Sequence, residues 1–284
     1  MNVVYCTRLA LFLTVSLGFI VPANAMPRDT AFSKPQHSWS VGIFNPLRYQ
    51  LSEDWAIEGH PLVELAHPHA TVDHTWARGE RWALTGRYGL SVPSFSLRFG
   101  IPFGLKGYLS PTCAVSEAEP DRNLDCGQRA WALAPLIGAR YSWGRTWVVT
   151  TEVDVAVGLI LSGHRPLPLD TYAPLDLVYA PLTRTHRTHF GMRVGRQIQP
   201  WLTLSADMNI YIMGGTGGRS PWTVSGYIGA DFHVTAHLTM TVGGMYFNHD
   251  QRAMELVTDS DGFSRKEWRR NHDLYPTIDL IWSY

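Results

Sequence analysis

The sequence predicts an all-β fold, a closed antiparallel up-and-down transmembrane barrel of twelve strands, with ten as the other count. Three observations carry that expectation: long stretches alternating with period two, connections that alternate between short and long, and tryptophans gathered at strand ends. The alternation is clearest in TWVVTTEVDVAVGLIL. There Trp147, Val149, Val153, Val155, Val157 and Leu159 share one face, and Thr150, Glu152, Asp154, Ala156 and Gly158 share the other, as successive side chains of a strand must. In WLTLSADMNIYIM, Leu202, Leu204, Ala206, Met208, Ile210 and Ile212 likewise oppose Thr203, Ser205, Asp207, Asn209 and Tyr211. A soluble sandwich also alternates. These strands, however, run to roughly ten to fourteen residues, the length that crosses a bilayer at a tilt. Their polar faces mix small residues with isolated charges, as a barrel interior requires.

Strands are expected near 37–44, 54–62, 70–76, 81–91, 94–101, 129–142, 146–161, 186–198, 201–213, 221–234, 237–249 and 272–284. The connections at 143–145, 199–200 and 235–236 are short, whereas 102–128, 162–185 and 250–271 are long. That asymmetry matches periplasmic turns opposite extracellular loops. Trp39, Trp55, Trp82, Trp131, Trp143, Trp147, Trp201, Trp222 and Trp282 fall at or near strand ends, where an indole meets the headgroup level. The stretch 43–82 is harder to read, because Pro46, Pro61 and Pro68 break its strands.

Residues 1–25 read as a secretory signal: Arg8, an apolar run from Leu9 to Val21, and small residues at Ala23 and Ala25, with cleavage after Ala25. The barrel domain would then span 26–284. The run is shorter than a bilayer span, and no long apolar segment follows it. The chain carries 24 basic and 24 acidic side chains, a balance that offers nothing to nucleic acid. After export Cys113 and Cys126 remain in a polar loop, and in an oxidising compartment they are expected to form a disulfide.

The chain closes with YPTIDLIWSY, in which Leu274, Ile278, Leu280, Trp282 and Tyr284 share the outward face. Alternating hydrophobics ending in an aromatic, at Ile278, Leu280, Trp282 and Tyr284, resemble the assembly signal of Gram-negative outer-membrane β-barrel proteins; Pro276 departs from the pattern. The resemblance covers the architecture without indicating a subfamily. It implies an outer-membrane location, contact with outer-membrane lipid and lipopolysaccharide, and engagement of the barrel insertion machinery.

Reading the alternation as inside and outside sends Arg87, Arg98, Arg140, Glu152, Asp154, Arg187, His189, Arg193, Asp207, Asp231 and Asp279 into the lumen. Neighbouring strands would set Arg140, the acids Glu152 and Asp154, and Arg193 side by side. Such a network either rigidifies the wall or forms an ion-selective constriction. The functional expectation is a narrow pore or transporter for small solutes, the solute itself being illegible; a closed structural or adhesive barrel and a lipid-modifying enzyme are the alternatives. The enzyme is disfavoured because no His-x-Ser pair occurs, and only threonine follows at that spacing after His69, His186 and His233.

No cofactor or metal is expected. Pro68 between His67 and His69, near Asp73 and His74, argues for a turn, and His186 and His189 fall on opposite faces. The proline-rich stretch 163–182 is suited to a lid over the mouth. Arg265, Lys266, Arg269 and Arg270 are suited to lipopolysaccharide phosphates.

Overall fold

The computed structural model describes residues 30–60, 67–92, 131–162, 173–214, 221–258 and 264–284, with the backbone alone over 173–176, 250–258 and 264–269. The signal segment, Arg98, Cys113 and Cys126 lie outside the described residues.

Thirteen strands form the sheet: β1 (Trp39–Gly42), β2 (Leu47–Gln50), β3 (Trp55–Gly59), β4 (His69–Arg78), β5 (Trp82–Ser91), β6 (Trp131–Gly144), β7 (Trp147–Val157), β8 (Leu159–Ser162), β9 (His186–Gln199), β10 (Leu202–Met213), β11 (Trp222–His233), β12 (Leu238–Thr258) and β13 (Ser264–Ser283). One helix, α1 (Ala173–Arg184), lies between β8 and β9. Twelve of the strands pair antiparallel in a closed ring, and β8 is an extra strand beside β6. The ring closes where β1 meets β13, with Ser40 opposite Ser283 and Val41 opposite Trp282. Trp39 and Tyr284 there exchange both backbone hydrogen bonds, at 2.8 and 2.9 Å. The last strand therefore leaves no open edge.

The count of twelve agrees with the sequence reading, but its membership does not. Leu47–Gln50 is a strand that the sequence reading left unassigned. β5 pairs directly with β6, from Trp82 opposite Trp143 to Ser91 opposite Ala134, so no strand from 94–101 stands between them. The missed strand has a physical origin: Pro46 and the short turns around it hide a four-residue strand.

The outward face is predominantly apolar. Ile137, Leu161, Ile228, Leu274 and Ile278 are all more than 60% exposed, which only a lipid surround makes tolerable. At the end with the short turns, Trp55, Trp82, Trp143, Trp147, Trp201, Trp282 and Tyr284 are exposed in a girdle, joined by Trp76. Trp131 and Trp222 stand exposed at the opposite end. Gly144 ends β6 with φ at 126°, a conformation L side chains avoid, and lets the two-residue turn at 145–146 reverse the chain into β7.

The main apolar packing lies inside the ring, around α1. Tyr179 and Leu182 pack on Ala132 and Ile160 of β6 and β8. Leu177 and Ala180, on the opposite side of the helix, pack with Met213 and Phe247, and Tyr211, Met245 and Tyr275 close around them. A helix apolar on opposite faces belongs in an interior. The described part of the proline-rich connection, α1, therefore packs inside the ring. At the short-turn end Ala31 is also buried, donating its N–H to Ser142 Oγ and accepting from Thr85 Oγ1.

Candidate functional site: the charged lumen

Alternation places Arg87, Arg140, Glu152, Asp154, Arg187, His189, Arg193, Asp207, Asp231 and Asp279 on the inward face, as the sequence suggested; what each one meets depends on register. Glu152 of β7 sits opposite Arg140 of β6 and accepts from its Nε at 2.9 Å. Its second oxygen accepts from Arg87 Nη1 at 2.6 Å, and Arg87 Nη2 also reaches Glu58 Oε1 at 2.7 Å. Asp73 lies 3.4 to 3.6 Å from Arg48, Arg87 and Arg140. Three guanidiniums thus face three carboxylates in one layer. Asp73 and Arg140 are only 4% and 3% exposed.

Half of this layer was not identified from sequence. Arg48, Glu58 and Asp73 come from β2, β3 and β4, where prolines interrupt the alternation. The signal that could have found them is parity: Arg48 and Gln50, and Ala56 and Glu58, share the inward face of their short strands.

A second cluster lies toward α1. Asp154 pairs with His189 Nδ1 at 2.7 Å and with Arg187 Nη2 at 3.4 Å, while His189 Nε2 stands 3.0 Å from Asn209 Oδ1. Tyr211 stacks on the same imidazole, with ring centres 4.7 Å apart. Glu152, Asp154 and His189 bring ligand atoms within 4.8 Å of one another, a metal-capable set that sequence spacing did not suggest. Those atoms are instead engaged by Arg87, Arg140, Arg187 and Asn209. Three neighbouring guanidiniums make a poor surround for a cation.

Arg187 has a structural cause for its position. Pro181 inside α1 has no N–H to give the carbonyl four residues earlier, that of Leu177. Arg187 Nη1 donates to that oxygen at 3.1 Å, satisfying what proline leaves orphaned. One guanidinium thereby ties the helix to Asp154 of the wall.

Arg193 links β9 to β10. It stands opposite Thr150, two residues before Glu152 on the same face of β7, and pairs with Asp207 of β10 at 3.3 Å. Asp231 accepts from Thr241 Oγ1 at 2.9 Å. Asp279 faces inward but acts as a turn anchor: it accepts from the backbone N–H of Ile43, Phe44 and Asn45 at 2.8 to 3.1 Å, and from Asn45 Nδ2. It therefore fastens the β1–β2 turn across the closing seam. Asp279→Ala is expected to cost about 3 kcal/mol, since four donors lose a charged acceptor. Denaturant midpoints of the refolded barrel measure this, and a loss below about 1 kcal/mol would show the seam is held otherwise.

His67, in the connection between β3 and β4, lies outside the membrane-spanning strands. Its ring meets Tyr179 of α1 edge-on at 5.2 Å and His69 at 6.0 Å. Burial, then the charges of His69 and Arg187, lowers its pKa from 6.5 to about 4. Between those values the unfolded chain binds a proton that the folded barrel refuses, so stability falls as pH drops through the window and levels off below it. Unfolding midpoints at pH 7.5 and pH 4 are expected to differ by about 2 to 3 kcal/mol in wild type. His67→Phe should flatten part of that slope. His74, by contrast, faces outward and stacks on Trp55 at 4.1 Å.

Beside His67 and α1 lies a cavity of about 330 Å³, bordered by Glu58, His69, Ala134, Ala156, Pro181 and Arg187 among others.

No protein-family model matches the chain, and no curated protein does. Solved structures resemble it in fold. OmpT of Vibrio cholerae, an outer-membrane protein, aligns with 84% of this chain and 64% of its own at 9% identity, TM-score 0.44. This chain therefore spans less than two thirds of that protein's length. The NanC porin aligns over 86% of this chain and 97% of its own, at 8% identity and TM-score 0.45. A FadL homologue of Pseudomonas aeruginosa aligns over 87% and 68%, at 8% identity and TM-score 0.40. The closed strand order, the outward apolar belt and the aromatic girdle identify the fold on their own as a transmembrane β-barrel.

Proposed function

We propose that this barrel is a narrow, gated pore for small solutes with a charged lumen, and that it is not an enzyme. The presence of α1 inside the ring carries the reading. A barrel with a purely structural role can fill itself with wall side chains, whereas this ring is wide enough to admit a helix, a body of about 10 Å across. The helix belongs to a connection rather than to the wall, so its departure would open the lumen without breaking the ring. The polar inward face then presents charges of both signs to whatever passes.

Against hydrolysis, the Asp154–His189 pair directs its remaining nitrogen at Asn209 rather than at a hydroxyl. His233 stands between Thr203 and Thr239, at 3.1 and 3.0 Å. A closed barrel is the second reading, supported by the buried ion layer and by Ala31 inside the short-turn end.

The outward-facing Ile278, Leu280, Trp282 and Tyr284 suit recognition by the insertion machinery. Arg265, Lys266 and Arg269 lie on the β12–β13 hairpin, where lipopolysaccharide phosphates are the proposed contact; Arg270 is engaged otherwise, 3.7 Å over Trp222 and bonded to Asn248.

Single-channel recording on the refolded barrel tests the proposal. Brief discrete steps are expected from the full chain, and larger, longer ones when 163–184 is replaced by a short Gly-Ser turn. A bilayer silent for both proteins would rule the pore out and favour the closed barrel.

A further inference from the structure

Three residues that border the cavity beside α1 each keep one buried polar atom without a hydrogen bond. Glu58 commits Oε1 to Arg87 and leaves Oε2 unbonded. Arg187 commits its two terminal nitrogens to Leu177 and Asp154 and leaves Nε unbonded. His67 is only 5% exposed, and its Nδ1 is unbonded as well. Buried polar atoms in folded proteins are satisfied almost without exception, so three around one cavity point to a polar occupant. Ala134, Leu136, Ala156, Val178 and Pro181 give the cavity an apolar side, and His60, His69, Thr71 and Ser91 complete its polar one. The volume of about 330 Å³ falls in the range of small-molecule sites.

We propose that this cavity binds a small zwitterion with an apolar body, an amino-acid-like solute, whose ammonium is taken by Glu58 and whose carboxylate is taken by Arg187 and His67. The charge balance selects the class. Glu58 is already neutralised by Arg87 and Arg187 by Asp154, at 2.7 and 3.4 Å, so a solute with net charge would unbalance a desolvated wall. A zwitterion brings one donor group and one acceptor group and no net charge. Its apolar body faces Ala134, Ala156 and Pro181, and Pro181 belongs to the helix that fills the lumen. Binding therefore takes place against the gate itself. This inference rests on the pore reading and names the solute class that the pore would pass.

The test is equilibrium binding by titration calorimetry on the full barrel folded in detergent micelles. The probe is L-leucine, with 4-methylpentanoate and 3-methylbutylamine as relatives that lack the ammonium or the carboxylate. Leucine is expected to bind about tenfold or more tighter than either relative. Glu58→Gln and His67→Ala are each expected to weaken leucine about tenfold. His67 lies outside the ion layer, so its variant remains informative if Glu58→Gln disturbs folding, and heat-modifiable migration on gels checks both. No binding of leucine, or unchanged affinity in the His67→Ala barrel, overturns the site. Equal binding of either relative overturns the zwitterion. Because calorimetry needs no conductance, a barrel that conducts but ignores leucine loses the site and keeps the pore. One that binds leucine but never conducts loses the pore and keeps the site.

Discussion

Glu152→Gln is expected to destabilise the folded barrel by about 3 to 5 kcal/mol, the cost of removing one partner from a buried ion layer. Glu152 takes one guanidinium on each oxygen, Arg87 at 2.6 Å and Arg140 at 2.9 Å. With Glu152 neutral, three guanidiniums would face two carboxylates, and the substitute amide would turn a donor toward one of them. Asp73 cannot take over, because it stands 3.6 Å from both Arg87 and Arg140 and forms no hydrogen bond with either oxygen. Pairing the change with Arg140→Met is expected to restore most of the loss, since two guanidiniums again face two acids and Arg87 retains Glu58. Denaturant midpoints and heat-modifiable migration of the four proteins form the cycle. A single-variant loss below about 1 kcal/mol would mean that water reaches the layer and screens it.

Gly158→Val is expected to shift α1 out of the lumen about ten- to a hundredfold in population, which corresponds to the one to three kcal/mol that overpacking costs. Gly158 is the break between β7 and β8, where wall and helix touch backbone to backbone. Its N–H donates to Thr185 O at 2.8 Å, and a Cβ there would collide with the carbonyl of Pro181. A rigid backbone group cannot swing aside as a side-chain tip could. The ring meanwhile keeps its β6–β7 and β7–β9 pairings, so the helix is the part that moves. In planar bilayers the variant should spend far more time open than wild type at the same unit conductance as the loop-replaced barrel. Unchanged open time, together with unaltered protease access to the 163–184 connection, would show that the helix is not a gate.

The inward positions of Glu152, Asp154, Arg193 and Asp207, and the outward ones of Ile278 and Trp282, were determined by the sequence alone. A strand's side chains alternate regardless of what lies next to them, so a long uninterrupted strand announces both of its faces. Alternation carries no information about neighbours across the sheet. Which acid meets which base is a matter of register: Glu152 meets Arg140 because the two stand opposite each other, and Arg193, opposite Thr150, also reaches Asp207 on its other side. Register arises from ring closure and turn geometry, which are properties of the whole chain. Arg48 and Glu58 escaped notice because strands of four or five residues, framed by prolines, are too short to show a period, and Asp73 because the histidines around it drew a metal reading instead. The helix escaped because a proline-rich stretch reads as a loop, and only the lumen's apolar surfaces give Leu177, Tyr179, Ala180 and Leu182 somewhere to bury themselves. Sequence thus determined which side chains face the lumen; tertiary structure decided what fills it, because filling depends on contacts between residues that are distant along the chain.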